Sequence, residues 1–248
     1  MTTPGPGLRV SFAEELHLFL TARHRRADAL HVPHDETSTL GHVIQSLGVP
    51  LTEVGELVVD GHRAAPSYRP RDGESAHVPA VQRPQLLPSS EPPHFVLDVH
   101  LGALARRLRL VGLDTAYGND MSDDALLRQA NAERGVLLTQ DRGLLQRGSL
   151  WLGAYVRGAH PDAQLLDVLD RFAPSLSPWT RCLACNGALS PVAKSDIATL
   201  LRPGTRRTYD TFMRCDSCAR LYWRGAHSAK LEATVRAART AVRERTLS

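Results

Sequence analysis

The stretch from Phe95 to Gly112, FVLDVHLGALARRLRLVG, gives the clearest indication of the fold class. It begins with three apolar residues and an aspartate, which is typical of a short buried strand. Apolar side chains then recur three or four residues apart on one face, as in an amphipathic helix. These side chains are Leu101, Leu104, Ala105, Leu108 and Val111. Arg106, Arg107 and Arg109 are expected mostly off that face, and the glycine is a natural helix end.

Strands and helices keep alternating as far as residue 174. The further predicted strands are DTAYG (114–118), GVLLTQD (135–141) and LWLGAYV (150–156). The further predicted helices are SDDALLRQANAERG (122–135), RGLLQRG (142–148) and PDAQLLDVLDRFA (161–173). Regular alternation of this kind predicts an α/β domain, with a parallel sheet connected by right-handed crossovers.

Three aspartates accompany the strands of this sheet. Asp98 ends the first strand, Asp141 follows the third, and Asp123 opens the helix after the second. Ligand sites of open α/β sheets form beyond the carboxyl ends of the strands, so we expect the three carboxylates to project into one region. Each also precedes a helix, and helix capping is the alternative explanation for any one of them. Asp120 and Asp124 are candidates for an additional acid.

Carboxylates gathered in one region need a cation. Two of them ~4 Å apart repel by about 4 kcal/mol at an effective dielectric constant of ~20. Oxygen ligands suit Mg²⁺ or Mn²⁺. Such an ion activates water and stabilises the charge that develops on a phosphodiester. The aspartates therefore predict a catalytic magnesium or manganese site.

The cysteines form two Cys-x-x-Cys knuckles, CLAC at 182–185 and CDSC at 215–218. Four thiolates complete a closed tetrahedral site, which is structural because it leaves no position for a substrate. Cys182, Cys185, Cys215 and Cys218 are thus predicted to bind one zinc ion. A redox pair and two disulfides are the alternatives, and both are disfavoured in a reducing compartment.

The N-terminal segment has a different rhythm. LRVSF (8–12) alternates like a strand, and STLGHVIQSL (38–47) has helical spacing with Ser38 or Thr39 as its cap. ELVVDGH (56–62) indicates a strand that enters a tight turn at Asp60-Gly61. These elements predict a small α+β domain.

Composition sets the domain boundaries. QRPQLLPSSEPP is rich in proline and serine and is typical of a linker. The predicted segments are the α+β domain (8–81), the linker (82–93), the α/β domain (94–175), the cysteine module (176–230) and a basic C-terminal helix (231–248).

Positive charge is concentrated at the C-terminal end. Residues 201–248 hold 11 Lys and Arg against 4 Asp and Glu, whereas the whole chain has a net charge of +4. A basic end favours an anionic partner such as RNA, and a solvated charged helix is the alternative. Aromatic residues interleave with the arginines of the cysteine module, as a stacking surface or as its small core. These aromatics are Tyr209, Phe212, Tyr222 and Trp223, and the candidate nucleic-acid contacts are Arg106, Arg107, Trp223 and Arg236.

The chain carries no membrane signal in its sequence. MTTPGPGLRVSF lacks a basic segment followed by an apolar one. No apolar run approaches the roughly 18 residues that span a bilayer. We therefore expect a cytoplasmic protein without a membrane partner.

Taken together, these motifs resemble a known family. FVLDVHLGALARRLRLVGLDT, SDDALL, LLTQD, CLACNG and CDSCARLYWRGAH look like the C-terminal RNase domain named after the Mut-seven exonuclease, over about residues 94–230. That family pairs the domain with an N-terminal ubiquitin-like, β-grasp module. GVPLTEVGELVVDGH (48–62) resembles part of this module.

The resemblance implies a PIN-like fold with a zinc ribbon and metal-dependent cleavage of RNA. By position, Asp98, Asp123 and Asp141 fall on the acidic positions of the family, and the four cysteines fall on its zinc positions. Asp124 stands where the family usually has another acid. Gln140 replaces the family's usual arginine, which removes a positive charge near the substrate phosphate.

The resemblance also bears on the N-terminal module. It lacks a terminal Gly-Gly because the chain continues into the linker, so we do not expect a sulfur carrier or a conjugated tag. We expect this module to bind a protein partner. Two functions compete for the whole chain: a metal-dependent ribonuclease, and a non-catalytic RNA- or protein-binding module whose acids only cap helices. A third is a nuclease that the β-grasp module recruits or restrains.

Overall fold

The computed structural model describes residues 7–33, 37–88, 92–225 and 228–247. Its strands are β1 (Leu8–Phe12), β2 (Leu30–Val32), β3 (Leu57–Val59), β4 (His62–Ala64), β5 (Ser75–Val78), β6 (His94–Leu97), β7 (Asp114–Tyr117), β8 (Val136–Thr139), β9 (Gly153–Tyr155), β10 (Leu189–Val192), β11 (Phe212–Cys215) and β12 (Leu221–Tyr222). Its α-helices are α1 (Leu40–Ser46), α2 (Gly102–Leu110), α3 (Asp123–Ala132), α4 (Arg142–Leu145), α5 (Pro161–Phe172), α6 (Lys194–Ile197), α7 (Pro203–Thr208) and α8 (Ser228–Leu247). Short 3₁₀ helices cover Glu14–Phe19, His24–Arg26, Leu51–Glu53 and Val99–Leu101.

The chain divides into two compact units. The first comprises Met1–Arg83 with Thr139–Tyr155, and the second comprises Pro84–Leu138 with Val156–Ser248. Asp141 therefore belongs to the first unit, whereas Asp98 and Asp123 belong to the second. Among the described residues, no helix has the length and apolar character needed to cross a membrane.

A five-stranded sheet of order β2-β1-β5-β3-β4 forms the first unit, with β1 and β5 parallel and the other pairs antiparallel. Its apolar face and α1 enclose a core that includes Leu8, Val10, Ile44 and Val78. The arrangement is the predicted ubiquitin-like module.

Two local sequence signals of the first unit act as predicted. The Thr39 hydroxyl accepts a hydrogen bond from the N–H of His42 at 3.3 Å and so caps α1. Asp60 and Gly61 both have positive φ, of 45° and 80°, which is the backbone that a two-residue hairpin between β3 and β4 requires.

The segment Thr139–Tyr155 packs within the first unit through cation and ring contacts. The guanidinium of Arg142 donates to the carbonyls of Leu18 at 2.7 Å and Phe19 at 3.0 Å. It also lies 5.3 Å from the centre of the Phe19 ring. The Tyr155 ring meets the same ring edge-on, with centroids 5.1 Å apart. Phe19 is thus held from both ends of the segment.

Polar contacts add to this packing. Gln45 and Gln146 exchange two hydrogen bonds, each amide NH₂ donating to the backbone carbonyl of the other residue at 3.4 and 3.3 Å. The N–H of Tyr155 donates to the carboxylate of Glu53 at 2.8 Å, and Glu53 is only 1% exposed. A buried carboxylate needs such a donor, so this contact fixes where β9 lies in the unit.

In the α/β fold, β6 lies between β7 and β8 and pairs in parallel with both. This confirms the predicted parallel sheet, although the predicted strand 150–156 is shorter and covers only β9. In the second unit, α2 packs on β7 and on α5, while α3 packs on β6. Gly112 ends α2 with a φ of +87°, and a Cβ there would collide with the carbonyl of Ser177.

The second unit continues into the zinc ribbon and the C-terminal helix. Strands β10, β11 and β12 form an antiparallel three-stranded sheet around a small core that includes Ile197, Leu201 and Phe212. Helix α8 packs on α5, and its Ala238 is buried. Arg245 adds an ion pair to Asp170 at 2.8 Å.

Candidate metal centre and acidic positions

The four cysteine thiols converge between the two knuckles. Their sulfurs all lie within 4.8 Å of one another, and all four cysteines are free. The Sγ–Sγ distance is 3.4 Å for Cys185 and Cys215, and 3.7 Å for Cys182 and Cys218. Four sulfurs ~2.3 Å from a zinc ion would form a tetrahedron with edges of about 3.8 Å. The cluster therefore fits a single closed zinc site.

The two knuckles share one backbone conformation. The residue after the second cysteine is left-handed in each, with φ of +72° at Asn186 and +58° at Ala219. Its N–H donates to the carbonyl of the first cysteine at a distance of 2.9 Å in both knuckles. Gly187 must be glycine, because a Cβ there would strike the Ser217 side chain and lie 3.0 Å from the sulfur of Cys215.

Hydrogen bonding prepares Cys182 for a metal. Its sulfur lies 3.0 Å from the Tyr222 hydroxyl. Burial opposes ionisation of this thiol, but hydrogen bonds from Tyr222 and from backbone N–H groups outweigh burial and lower its pKa to about 6. Burial and the neighbouring thiolate raise the pKa of Tyr222 to about 12, which keeps the hydroxyl a donor. Zinc binds the thiolate form.

Arg109 of α2 anchors the first knuckle. Its guanidinium donates to the carbonyls of Leu183 at 3.2 Å and Ala184 at 2.9 Å, the two residues between the cysteines. It also donates to the carbonyl of Thr115 in β7 at 3.0 Å. Arg109 is only 4% exposed, so its predicted position off the buried face was wrong. Three carbonyl acceptors compensate for the burial of its charge.

Asp114, the first residue of β7, is a second anchor. Its carboxylate accepts from Asn186 at 2.7 Å and from Arg181 at 2.9 Å, and it lies 3.1 Å from the His94 ring. The other ring nitrogen of His94 lies 2.6 Å from Glu133. Hydrogen bonding to His94, followed by that to Asn186, holds the pKa of Asp114 well below its usual range. Asp114, and then Glu133, raise the pKa of His94. Sequence reasoning misses both anchors, because contacts between distant residues leave no periodic signal.

Asp98 occupies a buried position at the end of β6. It is 6% exposed and stands at the N-cap of the 3₁₀ helix Val99–Leu101, yet its side chain makes no capping hydrogen bond. Its backbone N–H continues the sheet by donating to the carbonyl of Leu138 at 3.1 Å. Capping therefore does not explain this aspartate.

The other predicted acids are exposed. Asp141 caps α4, because its Oδ1 accepts from the N–H groups of Gly143 at 2.7 Å and Leu144 at 3.3 Å. Asp123 is the first residue of α3, whose cap is the Ser122 hydroxyl. Capping thus accounts for Asp141 alone of the three.

The aspartates do not form a ready-made cluster. In the part of the chain that the structure describes, the cysteines are the only group of three or more His, Cys, Asp or Glu side chains with ligand atoms within 4.8 Å of one another. Asp120 and Asp124, the candidates for an additional acid, are exposed next to α3. The residues that ligate a catalytic metal therefore stay a prediction.

The candidate nucleic-acid contacts lie in different settings of the second unit. Arg106 and Arg236 are exposed, whereas Arg107 forms an ion pair with Asp162. Trp223 is 42% exposed, and Phe212 is buried at 1%. The aromatic residues of the ribbon are thus divided between a core and an accessible surface.

Residues 93–235 match the family described as the Mut7-C RNAse domain, and residues 5–85 match the Mut7-C ubiquitin family. No curated protein and no solved structure gives a significant match. The first match spans more than half of the chain and includes the acidic positions and all four cysteines. It indicates a nuclease-like role and confirms the resemblance seen in the motifs. The chain belongs to the Mut7-C RNase domain family and carries the corresponding ubiquitin-like module before its RNase domain.

Proposed function

We propose that this chain is a cytoplasmic ribonuclease that hydrolyses RNA phosphodiester bonds with a divalent cation, Mg²⁺ or Mn²⁺. The observation that carries the proposal is Asp98, a buried carboxylate at the carboxyl end of β6 that makes no capping hydrogen bond. The carboxyl ends of the strands are where open α/β sheets hold their ligands. Asp98, Asp123 and Asp141 are the proposed ligands.

The strand order supports the choice of Asp98 and Asp141. The chain passes from β6 to β7 on one side of β6, and then to β8 on the other. Ligands of open α/β sheets bind where the order reverses in this way, beyond the carboxyl ends of the two strands concerned. Asp98 directly follows β6, and Asp141 lies two residues after β8.

Each side chain has a role in the proposed site. A bound cation would supply an activated water and neutralise charge on the phosphate. Burial orients Asp98. The N–H groups of Gly143 and Leu144 orient the Asp141 carboxylate through Oδ1. Asp123, exposed at the start of α3, would ligate directly or through a water molecule.

The alternative is a non-catalytic binding protein in which the ribbon contacts RNA or a protein partner, with the ubiquitin-like module as a further partner site. The capping role of Asp141 favours this alternative, whereas Asp98 makes no capping hydrogen bond. Free cysteines in either case suit a reducing compartment.

Substitution of Asp98 or Asp141 by asparagine separates the two functions. Asparagine caps helices about as well as aspartate but lacks the charge that a hard cation requires. Each variant should lose RNA cleavage by roughly 100-fold or more in Mg²⁺ or Mn²⁺, because metal catalysis contributes several kcal/mol. The melting temperature should hold or rise.

Asp196→Asn, an exposed change in the ribbon, is the matched control and should cleave like the unmodified chain. Cleavage that persists in the Asp98→Asn/Asp141→Asn double variant would exclude the proposed mechanism.

A further inference from the structure

A cavity of about 1020 Å³ opens on the zinc ribbon, entirely within the second unit. Its lining is mostly apolar and combines aromatic rings with guanidinium groups. These side chains are Trp179, Tyr209, Tyr222, Trp223, Arg181 and Arg224. Flat rings beside arginines are the surroundings in which proteins hold unpaired nucleobases.

The rings are held in place around this cavity. Trp179 has a φ of +69°, a left-handed backbone that residues other than glycine adopt rarely, so the chain maintains its position at a conformational cost. The guanidinium of Arg224 stacks 5.2 Å from the centre of the Trp179 ring. Trp223 packs on buried Phe212, with ring centroids 6.2 Å apart, yet remains 42% exposed. Trp223 thus has a supported side and an accessible one.

A second cavity of about 480 Å³ adjoins the first and shares Leu183 and Tyr222 with it. Arginines dominate its polar lining: Arg106, Arg109 and Arg220. The guanidinium of Arg109 is occupied by backbone carbonyls. Arg106 and Arg220 are exposed and have no hydrogen-bond or ion-pair partner among the side chains that the structure describes. Two unengaged guanidinium groups suit phosphate oxygens.

The second cavity lies beside the chain that follows Asp98. Gly102, at the start of α2, lines it together with Tyr117. The Tyr117 hydroxyl donates to the carbonyl of Val99 at 2.9 Å, and Val99 is the residue after Asp98. The aromatic cavity therefore adjoins the arginine cavity, and the Tyr117 hydroxyl connects the arginine cavity to the residue after Asp98.

We propose that the two cavities bind single-stranded RNA, with a base stacked on Trp223 and the phosphates of its neighbours against Arg106 and Arg220. Residues 176–230 carry nine Lys and Arg against three Asp, which complements a polyanion. Bases inside a duplex are already stacked and cannot enter the aromatic cavity, so the site selects unpaired strands. That the bound strand is then cleaved at Asp98 rests on the proposed function, whereas binding of the strand to the two cavities does not.

The test is fluorescence anisotropy with a mixed-sequence RNA of about 16 nucleotides, single-stranded or fully paired, without added Mg²⁺ or Mn²⁺. The chain should prefer the single strand. Trp223→Ala should weaken binding by about 5-fold to 150-fold, the effect of losing one stacking contact. Trp223→Phe, which keeps a ring, should lie closer to the unmodified chain. Trp151→Ala is the matched control, because Trp151 is also 42% exposed but lies in the first unit.

The salt dependence of RNA binding tests the two arginines. Arg106→Gln and Arg220→Gln should each reduce the slope of log affinity against log salt by about 0.7. Zinc content and melting temperature of every variant show whether the ribbon is intact. Equal affinity for the two RNA forms, or an intact Trp223→Ala variant that binds like the unmodified chain, would overturn the proposal. Absence of RNA binding would also overturn the proposal and would favour a protein as the ligand of the aromatic cavity. If the chain binds RNA as expected but does not cleave it, only the proposed ribonuclease function is contradicted.

Discussion

His94 and Asp114 form a charged pair whose contribution to stability depends on pH. The pKa of His94 is raised in the folded chain, so its stabilisation is complete below the unfolded value of about 6.5 and is lost as the pH rises through the folded value. The pKa of Asp114 is lowered, so its stabilisation is complete above about 3.9 and is lost only in acid. The pair therefore contributes most between about pH 4 and pH 6.5.

His94→Gln should remove this contribution. The difference in melting temperature between the unmodified chain and the variant should be largest near pH 6 and shrink towards pH 9, because the unmodified chain itself loses the charge on His94. Thermal unfolding across this range measures it. His42→Gln, a change at an exposed histidine of α1, controls for a general pH effect. A difference that stays constant with pH would contradict the assignment of the charge.

Arg109 connects helix α2 to the first cysteine knuckle. Arg109→Met keeps the apolar stem but leaves the carbonyls of Leu183, Ala184 and Thr115 without their charged donor. Hydrogen bonds to charged groups are worth about 1.5–3 kcal/mol each, so we expect a loss of at least about 3 kcal/mol in the free energy of unfolding.

Denaturant unfolding gives that free energy, and transfer of zinc to a coloured chelator reports whether the knuckle loosens. Arg106→Met, on the exposed side of the same helix, should cost less than about 0.5 kcal/mol. A similar small cost for Arg109→Met would show that the ribbon does not depend on α2.

Elements with local signals are the ones that could be predicted from the sequence. The β6–α2 unit, the Thr39 cap and the Asp60-Gly61 turn each follow from spacing or residue type within a few positions. The short helix α6 could not be predicted in this way, because a helix of one turn is held by tertiary packing, here of Ile197.

The candidate sites follow the same rule. Two Cys-x-x-Cys motifs predict a zinc site because each knuckle is local, whereas Arg109 and Asp114 act on residues far along the chain. Among the aspartates, sequence could not decide which one caps a helix. That depends on side-chain rotation, and it separates Asp141 from Asp98.

The ubiquitin-like module is more than an attached tag, because Thr139–Tyr155 of the RNase region belongs to its compact unit. Arg142 and Tyr155 find their partners there, including the buried Glu53. A chain limited to residues 84–248 lacks these partners. It should melt on the order of 10 °C lower than the full chain and expose apolar surface to a fluorescent dye.

Residues 1–83 expressed separately should bind the shortened chain and restore part of the loss. Arg142→Ala, introduced into the shortened chain, should weaken that association. A shortened chain that melts like the full one and ignores the added module would show that the two regions are independent.

The return of Thr139–Tyr155 to the first unit also has a consequence for synthesis on the ribosome. Residues 1–83 emerge first, but their unit lacks its last strand until Tyr155 has left the exit tunnel of the ribosome. By then, Pro84–Leu138 of the other unit are already outside the exit tunnel. Domains usually mature one after another during translation. Here the two maturation steps must overlap, so slowing of translation before Tyr155 emerges would prolong an incomplete module in which Phe19 lacks its contacts with Arg142 and Tyr155.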